Sequence, residues 1–282
     1  MATFVNPFTD FGFKRIFGQE DTKRLLMGFL NALFEGEFVI TDLTYLDKEQ
    51  LGYENKKYKG IIYDILCRTD KGEDFILEMQ NRNQSHFQDR ALYYMCRRII
   101  HQRKRGEKWN YRYPAVYGIF LMNFTNKVLK DAFYSSFSVR NDDTNCRLTD
   151  KLRMVFLQLP IFKKTEKECT TNLDKWTYII KNMNTLKEIP WKEQDELFEE
   201  LSKVSNVAAL TPQERIIYEH NLKVYWDNNA VQEAAYDDGH EAGLIEGIKK
   251  TALSLMQHGF ADDMISTITG LSLDDIKELR KT

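Results

Sequence analysis

The chain has 282 residues, of which 43% are hydrophobic and 29% charged, and its net charge is −2. That length suits one large domain or two modest ones, and the balance is that of an ordinary globular protein. A net charge so near zero excludes a global pull toward nucleic acid, so any such partner has to be met by a local patch. Cys67, Cys96, Cys146 and Cys169 show no CxxC spacing and join no Cys/His cluster of the zinc type. They read as reduced thiols, mostly core, in a reducing cytoplasm. The opening "MATFVNPFTDFGFKRIFG" lacks the order of a signal peptide, and no apolar run approaches the ~18 residues that span a bilayer. A soluble cytoplasmic protein without membrane contact is expected.

In chain order, residues 20–34 carry Leu26, Phe29, Leu30 and Leu33 at helical spacing and predict an amphipathic helix. Residues 37–50, rich in β-branched side chains, predict a strand. Residues 59–80 predict a hairpin that turns at Lys71-Gly72, where glycine accepts a positive φ. Residues 86–105 have helical periodicity and a basic end. The run "PAVYGIFLMNF" (114–124) predicts a buried strand opened by Pro114, and 132–140 and 152–162 predict two more. After about Lys163 strand-like runs stop. Residues 173–183 and 193–210 predict helices, and 211–259 one long helix or two in tandem. Thr211 is its N-cap, Pro212 its first residue, and Glu214 completes a capping box. The tail predicts two short helices around Gly270, the second capped by Ser272. The division expected is an α/β part, 1–162, with helices packed on a sheet, and a helical C-terminal region, 163–282.

In "EDFILEMQNR" the apolar Phe75, Ile76, Leu77 and Met79 mark a buried strand, yet Glu78 and Gln80 project side by side from one face of it. Pairing the hairpin arms about Lys71-Gly72 brings Asp64 near Glu78. Two close carboxylates in a partly apolar site repel and lose hydration, and a divalent cation removes both penalties. Hard oxygen ligands suit Mg²⁺ or Mn²⁺, which activate water and stabilise charge on a phosphate. Gln80 adds an amide that orients water or bonds a phosphate oxygen. The same residues also fit a plainer arrangement, with Glu78 paired to a buried arginine and Asp64 capping a neighbouring backbone.

Asp64, a hairpin, then Glu78-Met79-Gln80 resembles the PD-(D/E)XK nuclease superfamily, with glutamine in place of the motif lysine. "NPFTDFGFKRIFG", "LEMQNRNQSHFQDRALYYMCR", "GLIEGIKK" and "ISTITGLSLDDI" together resemble the recombination-promoting nuclease and transposase family of bacteria, over nearly the whole chain. The resemblance implies a Mg²⁺-dependent DNA endonuclease on a restriction-endonuclease-like αβββαβ core, with Mn²⁺ able to substitute. Asp64 and Glu78 then match the metal-binding carboxylates, and Gln80 takes the lysine's position. Asp10 and Lys14 match the N-terminal block, Asp10 as a further acid or a helix N-cap and Lys14 as a positive charge near the phosphate. Arg90 and Tyr94 match the "RALYY" block, which makes Arg90 a candidate DNA contact. Glutamine holds no permanent charge beside the attacking water, so slower catalysis or a heavier reliance on the metal is expected, and since the family tolerates glutamine there the resemblance does not imply inactivation.

Arg97, Arg98, Arg103, Lys104, Arg105, Lys108 and Arg112 form a basic stripe with one acid, Glu107, and His101, Trp109, Tyr111 and Tyr113 lie among or beside them. A nuclease needs such a stripe to neutralise phosphates, and its aromatics stack on unpaired bases; a solvated helix end explains the same cations. Ala235, Gly239, Gly243, Gly247 and Thr251 fall four apart. Glycines cost a helix about 1 kcal/mol each, so either close approach of another helix, as in a homodimer through the C-terminal helices, or a mobile helix is expected, the contact being favoured. The tail has a helix-turn-helix outline, but Asp274 and Asp275 would repel phosphates, which favours packing or assembly. Two functions fit: a divalent-metal DNA endonuclease linked to recombination or mobile elements, and a non-catalytic DNA- or protein-binding module that keeps the nuclease fold.

Overall fold

The computed structural model describes residues 2–47, 49–50, 61–84, 86–102 and 112–281. The strands are β1 Leu43–Tyr45, β2 Glu49–Gln50, β3 Ile61–Ile62, β4 Ile65–Thr69, β5 Asp74–Gln80, β6 Val116–Met122, β7 Tyr134–Ser138 and β8 Leu152–Gln158. The helices are α1 Asp10–Phe17, α2 Lys23–Leu33, α3 Phe87–His101, α4 Asn172–Asn182, α5 Glu196–Ser205, α6 Pro212–Gln257, α7 Asp262–Thr269 and α8 Leu273–Leu279. Six strands form one mixed sheet in the order β1-β4-β5-β6-β8-β7, while β2 and β3 pair separately. The expected α/β class is what the structure has.

The hairpin turns where its sequence demands. Gly72 has φ +90°, a value that strains any side-chain-bearing residue. β4 and β5 then run antiparallel with Ile65 opposite Leu77 and Arg68 opposite Asp74. β5 and β6 are parallel, so the chain must cross over between them, and α3 makes that crossover. Its Phe87, Ala91 and Met95 are buried and pack on Ile76, Phe120 and Phe156 of the sheet. The alternate residues of the strands serve an aromatic core that includes α2. Phe75 stacks on Tyr117 at 4.7 Å, and both meet Phe34 just past α2. Trp176 of α4 and Phe198 of α5 extend that core to Phe17 and Phe29.

The strand expected over 37–50 is shorter. Asn31 accepts from the Ile40 N–H and donates to the Ile40 carbonyl, and Phe38 stacks on Phe34. These contacts commit residues 38–40 to α2 before β1 begins. The N-terminal α1 is capped by Thr9, whose Oγ1 accepts from the Gly12 N–H; Asp10 is the first helical residue and not the cap. The capping box at Thr211–Glu214 and the Ser272 cap form as expected, the latter as a full box with Asp275, and 211–259 gives one helix, α6. Cys67 and Cys169 are buried, but Cys96 and Cys146 are exposed, so the thiols are not mostly core.

The chain divides into two compact units, residues 1–222 and 223–282. The first holds the sheet and also α4, α5 and the opening of α6. In the second, Ala252, Ile265 and Ile276 form a small core that joins the end of α6 to α7 and α8, and Arg280 donates twice to Asp262. No helix among the described residues is long and apolar enough to cross a membrane.

Candidate active site

β5 lies between β4 and β6 in the sheet, and its even-numbered residues, Asp74, Ile76, Glu78 and Gln80, lie under α3. Asp74 meets Arg98 and Gln102, Ile76 shares a core with Met95, and Gln80 meets Arg90. Asp64, the residue before β4, lies across the ladder from Glu78. The Asp64 N–H donates to Glu78 Oε1 at 3.2 Å, and the Met79 N–H donates to Asp64 Oδ2 at 2.9 Å. Each carboxylate is thus clasped by the other's strand. Gln80 Nε2 donates to Glu78 Oε2 at 3.1 Å, and Arg90 donates to Gln80 Oε1. The backbone cap anticipated for Asp64 is present, whereas the arginine goes to Gln80 and not to Glu78.

Both acids are harder to ionise than usual. Burial raises Glu78 well above its ordinary value, and the Asp64 charge adds to this. Burial also raises Asp64, while the Met79 N–H and Lys14 pull the other way and Asp10 opposes them. Glu78 is 3% exposed. Asp64 is half-buried. Paired carboxylates that resist ionisation are an arrangement a divalent cation relieves, and their hard oxygens fit Mg²⁺ or Mn²⁺. Among the described residues no group of three or more His, Cys, Asp or Glu side chains gathers to hold a metal ion.

Asp10 and Lys14 lie on α1 and pair with each other. Lys14 lines a cavity of about 390 Å³ that also reaches Tyr45, Asp47 and Asp64. Asp10 lines a smaller one of about 120 Å³, with Thr9, Asp64 and Asn81. Asp64 therefore borders both cavities. The helix is fixed from far along the chain. Asn6 N donates to Tyr218 Oη at 2.8 Å, Phe11 N to Asn221 Oδ1 at 3.2 Å, and Arg15 pairs with Glu214. A Cβ on Gly12 would lie 2.1 Å from the Asn6 carbonyl oxygen, so only glycine allows this close approach.

The basic stripe is not continuous on the surface. Arg98 is buried and its Nε donates to Asp74 Oδ2 at 2.8 Å. Arg68 donates twice to the same carboxylate, at 2.7 and 3.0 Å, and Gln102 donates at 2.5 Å. Burial alone would raise Asp74, but these donors, Arg68 foremost, hold it below its ordinary value. Arg97 is buried too. Arg98 therefore belongs to the packed side of α3, which corrects its reading as a phosphate contact, and burial keeps Arg97 off the open surface. Arg103, Lys104 and Arg105 lie outside the described residues, as do Lys108, Trp109 and Tyr111.

Asn81 and Gln84 were not singled out from sequence. Asn81 Nδ2 donates to the Phe8 carbonyl at 2.6 Å, tying β5 to the segment before α1, and Gln84 accepts from Arg90. Their signal was adjacency to Gln80 in "EMQNRNQ".

A mixed sheet flanked by helices, with an acid before one strand and Glu-x-Gln ending the next, defines a PD-(D/E)XK nuclease-like α/β protein. The model of the PD-(D/E)XK nuclease family transposases matches residues 7–235, and the chain belongs to that family. No curated protein and no solved structure matches it.

Proposed function

We propose that the protein is a divalent-metal-dependent DNA endonuclease that acts in recombination or the movement of mobile elements, in the cytoplasm. The observation that supports this reading best is the reciprocal clasp of half-buried Asp64 and buried Glu78, each carboxylate bonded to the other's strand. Asp64 and Glu78 would hold Mg²⁺, or Mn²⁺ in its place, which would supply an activated water and charge stabilisation at the phosphate. Gln80 directs an amide N–H toward the reacting oxygens, and Lys14 brings positive charge to the cavity beside Asp64. Asp10 holds Lys14 in place. Chemistry resides in 1–162, and residues 163–222 brace α1. DNA affinity comes from the 103–105 cations, and α6 carries a contact with a second copy of the chain.

Nicking of supercoiled plasmid in Mg²⁺ against EDTA tests the reading. Asp64→Ala and Glu78→Ala should each abolish metal-dependent nicking. DNA binding without cleavage in either metal would favour the non-catalytic module.

A further inference from the structure

A lysine at position 80 would bring its own charge, and glutamine brings none. The cation bonded to the Gln80 side chain is on α3. One arm of the Arg90 guanidinium donates to Gln80 Oε1 and the other to Gln84 Oε1, while Gln80 Nε2 donates to Glu78 Oε2 at 3.1 Å. This chain of bonds fixes which way the amide points. Its carbonyl takes the cation's N–H and its nitrogen faces the carboxylate; the flipped amide would set oxygen against oxygen and nitrogen against guanidinium. The guanidinium is held in turn, 5.8 Å from the ring centre of buried Phe87 and 5.9 Å from that of Tyr94.

We propose that Arg90 is a positioning residue that delivers positive polarisation to the reacting oxygens through the Gln80 amide, so that Arg90 and Gln80 together do what a lysine does alone. The inference rests on the nuclease reading above. A guanidinium bonded to the amide oxygen draws electron density from the nitrogen and strengthens both of its N–H donors. One of them is committed to Glu78, and the second serves the attacking water or a phosphate oxygen. This differs from a grip on the DNA backbone by Arg90 itself. Such a grip would act on affinity and would not depend on the residue at 80.

The test uses the full chain with Arg90→Ala, Arg90→Lys, Gln80→Lys and the Gln80→Lys/Arg90→Ala pair. Arg90→Ala should lower kcat for nicking roughly a hundredfold, the scale of one lost transition-state donor. DNA affinity in EDTA, and KM, should stay within about twofold. Arg90→Lys should recover part of the rate. In the Gln80→Lys background Arg90→Ala should cost less than about fivefold, because the ammonium now carries the charge and the two positions are coupled. Equal losses in both backgrounds, or a loss confined to KM or affinity, would overturn the proposal. A readout independent of turnover is the side-chain amide of Gln80 in ¹⁵N spectra, identified by its loss in Gln80→Leu. It should be shifted and protected from exchange in the wild type and collapse to solvent-like behaviour in Arg90→Ala; an unchanged signal would also overturn the proposal. If no form of the protein, wild type included, nicks DNA in Mg²⁺ or Mn²⁺, the nuclease reading fails, and the amide spectrum alone decides the Arg90–Gln80 link.

Discussion

Glu78 illustrates how a residue's burial becomes a testable dependence on pH. In the unfolded chain it titrates near 4.5 and Asp64 near 3.8, and in the folded chain both are raised. Between the ordinary and the raised values the folded chain keeps protons that the unfolded chain has released. Stability therefore falls as pH rises through that window, and the penalty is complete above it. Without metal, Glu78→Gln should melt at a higher temperature than wild type at pH 7, and the difference should shrink toward pH 4. Melts in EDTA across this range check it, and a large destabilisation at neutral pH would mark Glu78 as structural. Asp74 has the opposite sign, because its arginines lower it; its contribution is present above 3.8 and lost as pH falls through the lowered value. Asp74→Asn leaves Arg68 and Arg98 short of a buried counter-charge and should cost about 3–5 kcal/mol in urea unfolding. Asp64, Glu78 and Gln80 were legible because strand period and turn position fix their faces. Arg98 was misread because a run of charges was taken as exposed. The helical stripe Phe87, Ala91, Met95, Arg98 places it on the packed face, and that spacing was visible in the sequence.

Elements formed where local signals were strong. Lys71-Gly72 between two apolar runs was enough to fix the β4–β5 turn, and the β5–β6 crossover followed from a helical pattern between two strands. The setting of α1 was not legible, because its partners Tyr218, Asn221 and Glu214 lie some two hundred residues away and no local pattern signals them. Gly12→Ala tests this element. The new Cβ would meet the Asn6 carbonyl at 2.1 Å and Thr9 Oγ1 at 2.9 Å, so α1 must shift or the loop must yield. A cost of about 1–3 kcal/mol is expected, typical of overpacking, together with loss of nicking, since Asp10 and Lys14 move with the helix. Urea midpoints and plasmid assays measure the two effects, and an unchanged rate would show that α1 contributes no group to the site. Beyond α3, neutralising Arg103, Lys104 and Arg105 should reduce the slope of log K for DNA against log salt by about 0.9 per lost phosphate contact. An unchanged slope would put the DNA surface elsewhere.

At the scale of the whole molecule, the family match ends at residue 235, while α6 continues to Gln257. Among the described residues the glycines of that continuation are packed against nothing, and Gly243 and Gly247 line an open cavity with Ile268 and Thr269 of α7. A Cβ added at Gly239, Gly243 or Gly247 meets nothing within 4 Å, and Tyr236, Leu244 and Ile245 beside them are exposed. The small residues are symmetric about Gly243, with Ala235 answering Thr251 and Gly239 answering Gly247. A second α6 crossing antiparallel at Gly243 would therefore set small residues against small ones, with Tyr236 opposite Lys250 and His240 opposite Glu246. Tyr236 and His240 already stack along one side of the helix, 6.1 Å apart. Leucine at 243 would be harmless to an isolated chain, and it removes a glycine cost of about 1 kcal/mol. Gly243→Leu should therefore leave melting unchanged or raise it in dilute solution while halving the mass seen by light scattering at high concentration. Equal masses for the two proteins would mean that the glycines do not serve self-association, and a lower melting temperature for a monomeric wild type would mean that position 243 is packed within its own chain.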